Sequence, residues 1–363
     1  MSRAHLLYVV GARPNIVKMA PVISTLRRRL PEARHVLVHT GQHYDRALSD
    51  VFFEELDVPP PDHMLGVGSG SHAVQTARTM ERVESVIELE RPDLVIVPGD
   101  VNSTLAVALV VAKLPIMLAH LESGLRSFDR TMPEEINRIV ADEFSHLLFL
   151  HSDEAVDNLR REGIADERMH FVGNTMIDAL VAVEERFRSN PAAERLGVEA
   201  ENYLLVTLHR PALVDGPLLP EVLKALSQVA ADLPVLFPVH PRTRKMMRPF
   251  DVDSRITLVD PVGYLDFLAL EANAAAVLTD SGGVQEETTF LGVPCFTLRD
   301  NTERPVTIRA GTNTLLGLDP ARIVTIPEVL FRDRPERPPS PPPLWDGRAS
   351  ERVADVVEAA IEQ

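Results

Sequence analysis

Cysteine is almost missing from this sequence: Cys295 stands alone among 363 residues. That excludes an internal disulfide and any multi-cysteine metal site, and it fits a reducing compartment. Positive charge is also short, with 37 Lys and Arg against 53 Asp and Glu and a formal net charge of −16. Such a field repels nucleic acid and anionic membrane surfaces, so any phosphate the chain binds must be held locally. No apolar run approaches the roughly 20 residues that span a bilayer. The opening MSRAHLLYVV is too short a run for a signal peptide, so a cytoplasmic location is expected. Also missing are the G-x-G-x-x-G dinucleotide fingerprint and the P-loop, which removes most of the case for hydride chemistry. With no nicotinamide, flavin or metal motif to read, no cofactor is expected.

What is present is an ordinary globular composition, 45% hydrophobic and 25% charged, in a chain long enough for two domains. Short apolar runs alternate with longer helical patterns: LLYVV, HVLVHT, DLVIVPGD, PIMLAHLE, HLLFLHS, MHFVGN, YLLVTLH, VLFPVHP, ITLVD, AAVLTD and CFTL. Repeated βα units with parallel strands buried on both faces follow, an α/β class built as two Rossmann-like domains with a cleft. A polar helical stretch from Val181 to Glu201, interrupted by Pro191, separates two series of strands. We take the first domain as residues 1–175 and the second as 176–345. The run DRPERPPSPPP reads as an extended connector, after which a helix over 349–363 can cross back to the first domain.

In an open parallel sheet, ligands sit beyond the carboxyl ends of the strands, so the loops there carry the candidates. After LLYVV comes GARPNIVKMAPV, where Gly11 permits a tight exit, Pro14 starts a helix, and Arg13 and Lys18 can face a phosphate at its positive end. Asp100 in VIVPGDVNST either caps the next helix, with Asn102 or Ser103, or presents a carboxylate at the sheet rim. HLESGLRSFDRTMPEEINR adds Glu122 and Glu134, although Thr131 to Glu134 also matches a capping box. Three carboxylates on neighbouring loops would raise one another's pKa, letting one act as acid and another as base. His209 ends the first strand of the second domain, and His240 occupies a similar place with Arg242 and Arg244 behind it. Either histidine can equally be a hydrogen-bonded structural residue. In LTDSGGVQEETTFLG the glycines Gly282 and Gly283 bring backbone amides at a helix start within reach of an anion, Ser281 can donate, and Glu287 can accept from ribose. Arg304 can reach a second phosphate oxygen, or merely Glu303 or Asp300. Cys295, in GVPCFTL, reads as simply buried.

Seven ordered segments, GARPNIVKMAPV, TGQHYD, GDVNST, HLESGLRSFDRTMPEEINR, TLHRP, GYLDFLALEANAAAVLTDSGGVQEE and LRDNTERPVTIRAGTN, closely resemble the non-hydrolysing UDP-N-acetylglucosamine 2-epimerase family. The resemblance implies a fold like that of the GT-B glycosyltransferases, a homodimer, and reversible conversion of UDP-N-acetylglucosamine to UDP-N-acetylmannosamine. UDP would be eliminated to leave a 2-acetamidoglucal and then added back. The family's catalytic carboxylates map to Asp100, Glu122 and Glu134 and its histidine to His209. Its nucleotide contacts map to Arg13, Lys18, Phe267, Ser281, Gly282, Gly283, Glu287 and Arg304. Two departures stand out. Ala212 and Leu213 replace the Glu and Asn usual after the histidine, and Asp45 follows Gln42 and His43 where a second glutamine belongs to an activator site. The latter argues against activation by a second nucleotide sugar. Rival readings are a hydrolysing 2-epimerase, a glycosyltransferase, a silent sugar-nucleotide sensor, and an epimerase for a 2,3-diacetamido sugar.

Overall fold

The computed structural model describes residues 4–41, 46–332 and 340–362, with the backbone alone described at 46–50 and 211–212. Gln42, His43 and Asp45 therefore lie outside the described residues, as do the side chain of Ala212 and 333–339 of the proline-rich connector. The apolar runs, each too short for a helix, form strands. In chain order these are β1 (His5–Val10), β2 (Arg34–His39), β3 (His63–Met64), β4 (Leu94–Pro98), β5 (Met117–Leu121), β6 (Leu147–Leu150) and β7 (Met169–Phe171). There follow β8 (Leu204–Thr207), β9 (Val235–Pro238), β10 (Ile256–Val259), β11 (Ala276–Thr279), β12 (Cys295–Thr297) and β13 (Asn313–Leu315). The first seven form one sheet in the order β3-β2-β1-β4-β5-β6-β7, and the rest form another in the order β10-β9-β8-β11-β12-β13. Every pairing described is parallel. The α/β class and the two Rossmann-like units read from the sequence are thus what the structure shows. The edge strands β3 and β13 were not anticipated, because HM and NTL are too short to register as apolar runs.

The alternation along β1 shows how such a strand is buried on both sides. Leu6, Tyr8 and Val10 join a core with Ile16, Met19 and Ile23 of the helix Arg13–Arg29, while Leu7 and Val9 join another with Val83, Ile87, Val107 and Val111. Each fully buried aliphatic side chain contributes about 1.5–3 kcal/mol relative to exposure. Because both faces need apolar partners, the strand reads as an unbroken hydrophobic run.

Contacts divide the chain into one unit of residues 1–182 plus 343–363 and a second of residues 183–342. The division falls after the helix Thr175–Ala182, beyond the boundary at 175/176, because that helix packs on Arg13–Arg29 of the first unit. The terminal helix Ala349–Ile361 also belongs to the first unit, where Val353, Ala354 and Val357 complete the core on the Arg13–Arg29 side. Its start is pinned by Asp178, whose carboxylate accepts from the amides of Ala349 (3.0 Å) and Ser350 (2.6 Å). Ahead of it, Trp345 is buried and donates to the carbonyl oxygen of His151 at 2.9 Å. Asp178→Ala leaves two helix-start amides without their acceptor, and urea denaturation of the variant is expected to show a loss of about 1–2 kcal/mol.

Candidate active site

Each sheet reverses its strand order once, between β1 and β4 in the first unit and between β8 and β11 in the second. Helices leaving on opposite faces at such a reversal open a crevice at the strand ends, which is where this architecture accommodates ligands. The candidate residues can be placed against these two points.

In the first unit, the helix Arg13–Arg29 begins directly after β1, with Pro14 in its first turn. Asn15 ties it to the reversal, because its Oδ1 accepts from the amides of Gly11 and Ala12 and its Nδ2 donates to the carbonyl of Pro98 at the end of β4. Gly11 is required for a different reason from the tight exit read in the sequence: a β-carbon there would lie 2.3 Å from the hydroxyl of Ser103. Arg13 stacks over the ring of Phe52, 5.4 Å from its centre. Lys18 lies buried deeper along the helix and forms an ion pair with Glu122. Its ammonium thus faces a carboxylate, where the sequence placed it at the helix's positive end for a phosphate.

Asp100 follows β4 and Glu122 follows the adjacent β5. The cap position of the helix Asn102–Val111 is Val101, whose side chain offers no acceptor. The Asp100 carboxylate beside it accepts from Arg138 Nη2 at 2.6 Å. Two ion pairs, Lys18–Glu122 and Arg138–Asp100, therefore give these carboxylates cationic partners that the sequence reading did not foresee. Arg138 is itself buried and donates to Glu135 at 2.9 Å. Glu135 also accepts from the amides of Ser127 and Phe128, both at 2.9 Å. Phe128, at φ 59, and Glu122, at φ 66, occupy the left-handed region that side chains normally avoid. Strain of this kind persists only where surrounding bonds dictate it.

Glu134 is half-buried in the first turn of the helix Pro133–Phe144, and among the described residues it has no hydrogen-bonding or ionic partner. The capping box does not form: Met132 is the cap, and the Thr131 hydroxyl donates to Asp129 at 2.6 Å. Beneath these residues His120 is fully buried, with Nδ1 at 2.7 Å from Asp142 and Nε2 at 2.7 Å from the carbonyl of Gly99, the residue before Asp100.

In the second unit, His209 follows β8 and its Nδ1 lies 2.9 Å from Asp280, which follows β11. The imidazole is 53% exposed, while the carboxylate is fully buried. Burial pushes the Asp280 carboxyl up, but bonds from the His209 ring and the amides of His209 and Arg210 outweigh it and hold the group below its ordinary range. Asp280 thus fixes the histidine across the reversal, a pairing the sequence reading missed although D280 sits in the LTDSGG motif. His240, by contrast, caps the helix Pro241–Met247 by accepting from the Arg242 amide, the structural alternative.

Ser281 caps the helix Gly282–Leu291 by position, with its hydroxyl not used for the purpose, and Gly282 and Gly283 are the first helical residues. A β-carbon at Gly282 would fall 2.4 Å from Arg304 Nη1 and 2.7 Å from its Cζ, so only glycine lets the buried guanidinium reach the helix start. Arg304 is held there by Glu286 (2.7 Å) and Glu303 (2.5 Å), so the alternative partner Glu303 is in place and Asp300 is not. Phe267 is half-buried on the helix Tyr264–Ala272. Glu287 is buried and accepts from the Tyr264 hydroxyl at 3.1 Å. Cys295 is buried, and loss of solvent pushes its thiol up to about 12.

Burial also pushes the Glu287 carboxyl up to about 8, against the pull of the Tyr264 hydroxyl and with a further push from Glu286. Fully buried Glu271 is raised as well, through burial and then the Glu287 charge. A carboxyl kept protonated in the fold but ionised when unfolded stabilises the native state at low pH and loses that contribution as pH climbs through its folded value. The contribution of these two carboxyls to the unfolding free energy is therefore expected to fall in urea titrations as pH rises from about 5 through about 8. It runs against the opposite slope that the depressed histidines His5, His39, His146 and His170 give below about 6.5. Glu271→Gln, an uncharged replacement of the same shape, is expected to flatten that slope.

The chain is similar to known proteins over most of its length. The family described as UDP-N-acetylglucosamine 2-epimerase matches residues 26–358. A Methanococcus maripaludis protein named UDP-N-acetylglucosamine 2-epimerase is 40% identical over 361 residues, 96% of this chain and 97% of that one. A Pseudomonas aeruginosa protein named UDP-2,3-diacetamido-2,3-dideoxy-D-glucuronate 2-epimerase is 40% identical over 317 residues, 86% of this chain and 88% of that one. The crystal structure of Methanocaldococcus jannaschii UDP-GlcNAc 2-epimerase in complex with UDP-GlcNAc and UDP superposes with a TM-score of 0.87 at 40% identity, covering 98% of this chain and 99% of that one. No helix among the described residues is long and apolar enough to cross a membrane.

Proposed function

Because the chain belongs to the UDP-N-acetylglucosamine 2-epimerase family, we propose that it interconverts UDP-N-acetylglucosamine and UDP-N-acetylmannosamine by eliminating UDP and adding it back. The observation that carries the reading is the pair of carboxylates, Asp100 and Glu122, at the adjoining ends of β4 and β5, each with its own buried cation. The C2 proton of the sugar has no carbonyl beside it and is not acidic in the ground state. As the bond from C1 to UDP breaks, positive charge grows at C1 and the C2 proton becomes removable by a carboxylate. The 2-acetamidoglucal that results is planar at C2, and a proton delivered to its other face inverts the centre when UDP returns.

In this reading Asp100, Glu122 and Glu134 share proton removal and return. His209, aimed by Asp280, the Ser281 hydroxyl and the amides of Gly282 and Gly283 receive the charge that builds on the leaving pyrophosphate, where fixed donors are most effective. Arg13, Lys18 and Arg304 add positive charge, Glu287 accepts from ribose, and Phe267 packs beside the nucleotide. Lys18 exchanges its present carboxylate partner for substrate, freeing Glu122 to act as a base. No electron-accepting cofactor is needed, because the leaving group itself makes the proton acidic. The proposal includes a cytoplasmic homodimer without an activator site, supported by composition and by the resemblance in sequence. A second substrate, a UDP-2,3-diacetamido uronic acid, is favoured by the 40% identity to the Pseudomonas aeruginosa relative, and a direct competition between the two sugars ranks them.

Turnover of UDP-N-acetylglucosamine in heavy water is expected to place deuterium at C2 of substrate and product, followed by NMR. Full product formation without label would eliminate this route. Asp100→Asn and Glu122→Gln are each expected to lower kcat by roughly 100-fold or more while calorimetry still shows UDP binding. Gly282→Ala is expected to do the reverse, weakening UDP binding by displacing Arg304.

A further inference from the structure

Lys18 and Glu122 line a recess of the first unit with His151, Gly173, Asn174 and Thr175, along the carboxyl ends of β5, β6 and β7. Its 10 Å³ of space is roughly enough for one water-sized group. Asn174 is 4% exposed. Its Oδ1 accepts from the amide of Met176 at 2.9 Å, capping the helix Thr175–Ala182, and that bond fixes which end of the side chain is which. The opposite end, Nδ2, is buried and has no acceptor among the described residues. A buried amide donor left unanswered is costly, so one lining a recess beside an ion pair has a use there.

We propose that Asn174 Nδ2 donates to the acetamido carbonyl of the hexose and so selects 2-acetamido over 2-hydroxy sugars. The inference rests on the reading of Glu122 as a group that works at C2. The acetamido group is the substituent on that same carbon, it is uncharged, and its carbonyl is the strong acceptor that a neutral amide donor matches. An anionic phosphate would instead be drawn to the cations. Loss of the donor strands a buried carbonyl in the bound sugar, whereas a 2-hydroxy sugar, which has no such carbonyl, loses nothing.

The test compares the wild-type enzyme with Asn174→Ser and Asn174→Asp, both of which keep an oxygen for the Met176 amide and remove the donor. For both variants kcat/KM for UDP-N-acetylglucosamine is expected to fall about 10- to 100-fold, with urea stability and calorimetric UDP affinity near wild type. Inhibition by UDP-glucose, which carries a hydroxyl at C2, is expected to be unchanged in the serine variant. Wild-type kcat/KM in that variant, or an equal loss for both sugars, would overturn the assignment of Asn174 alone. Absence of C2 epimerisation by the wild-type enzyme would overturn the functional reading and this inference with it.

Discussion

The constraint on which the rest depends is the reversal of strand order within each sheet. A parallel strand must be followed by a crossover helix, and right-handed crossovers send successive helices to opposite faces once the direction of strand addition changes. The first strand of each series is therefore flanked by connections that diverge. The chain need only place chemistry at the ends of β1 and β4, or of β8 and β11, for it to meet. Asn15 and Asp280 make the point physically, since each spans its reversal with hydrogen bonds and locks the two strand ends together.

Around that frame, buried cations are set against the carboxylates after β4 and β5, Arg138 against Asp100 and Lys18 against Glu122. Arg138 holds Asp100 on one side and Glu135 on the other, and Glu135 in turn holds the backbone of Ser127 and Phe128 in place. Removing one partner from such a chain costs far more than the net value of any single bond, because the other is left charged and buried. The same logic explains Gly282: the buried Arg304 guanidinium occupies the volume of the missing side chain.

Much of this was legible in the sequence because the signals are local. Apolar runs and the proline opening a helix at Pro14 each act within a turn of themselves. Asp100, Glu122, His209 and the Ser-Gly-Gly stretch could be picked out because strand ends can be read. What escaped was everything decided across the fold. Nothing near Glu135 or Arg138 in sequence reveals which of Glu134 and Glu135 turns inward, and Asp280 looks like a strand terminus until β8 is laid beside β11. Thr131 matched a capping pattern, yet Met132 holds the cap position and the Thr131 hydroxyl donates to Asp129. Likewise Lys18 sits too far along its helix to judge from a motif, and only the fold, which brings the loop after β5 to it, shows it facing Glu122.

The return of residues 343–363 to the first unit makes the second an insertion within it. A ribosome therefore releases the whole of the second unit before it releases Val353, Ala354 and Val357, which the first unit's core still lacks. Domains ordinarily fold from the amino terminus onward during synthesis. Here the order is inverted for completion: the second unit can close while the first, begun earlier, still exposes an unfilled groove along Arg13–Arg29. That nascent groove is where a chaperone would find apolar surface, and it vanishes only when the helix Ala349–Ile361 has left the exit tunnel.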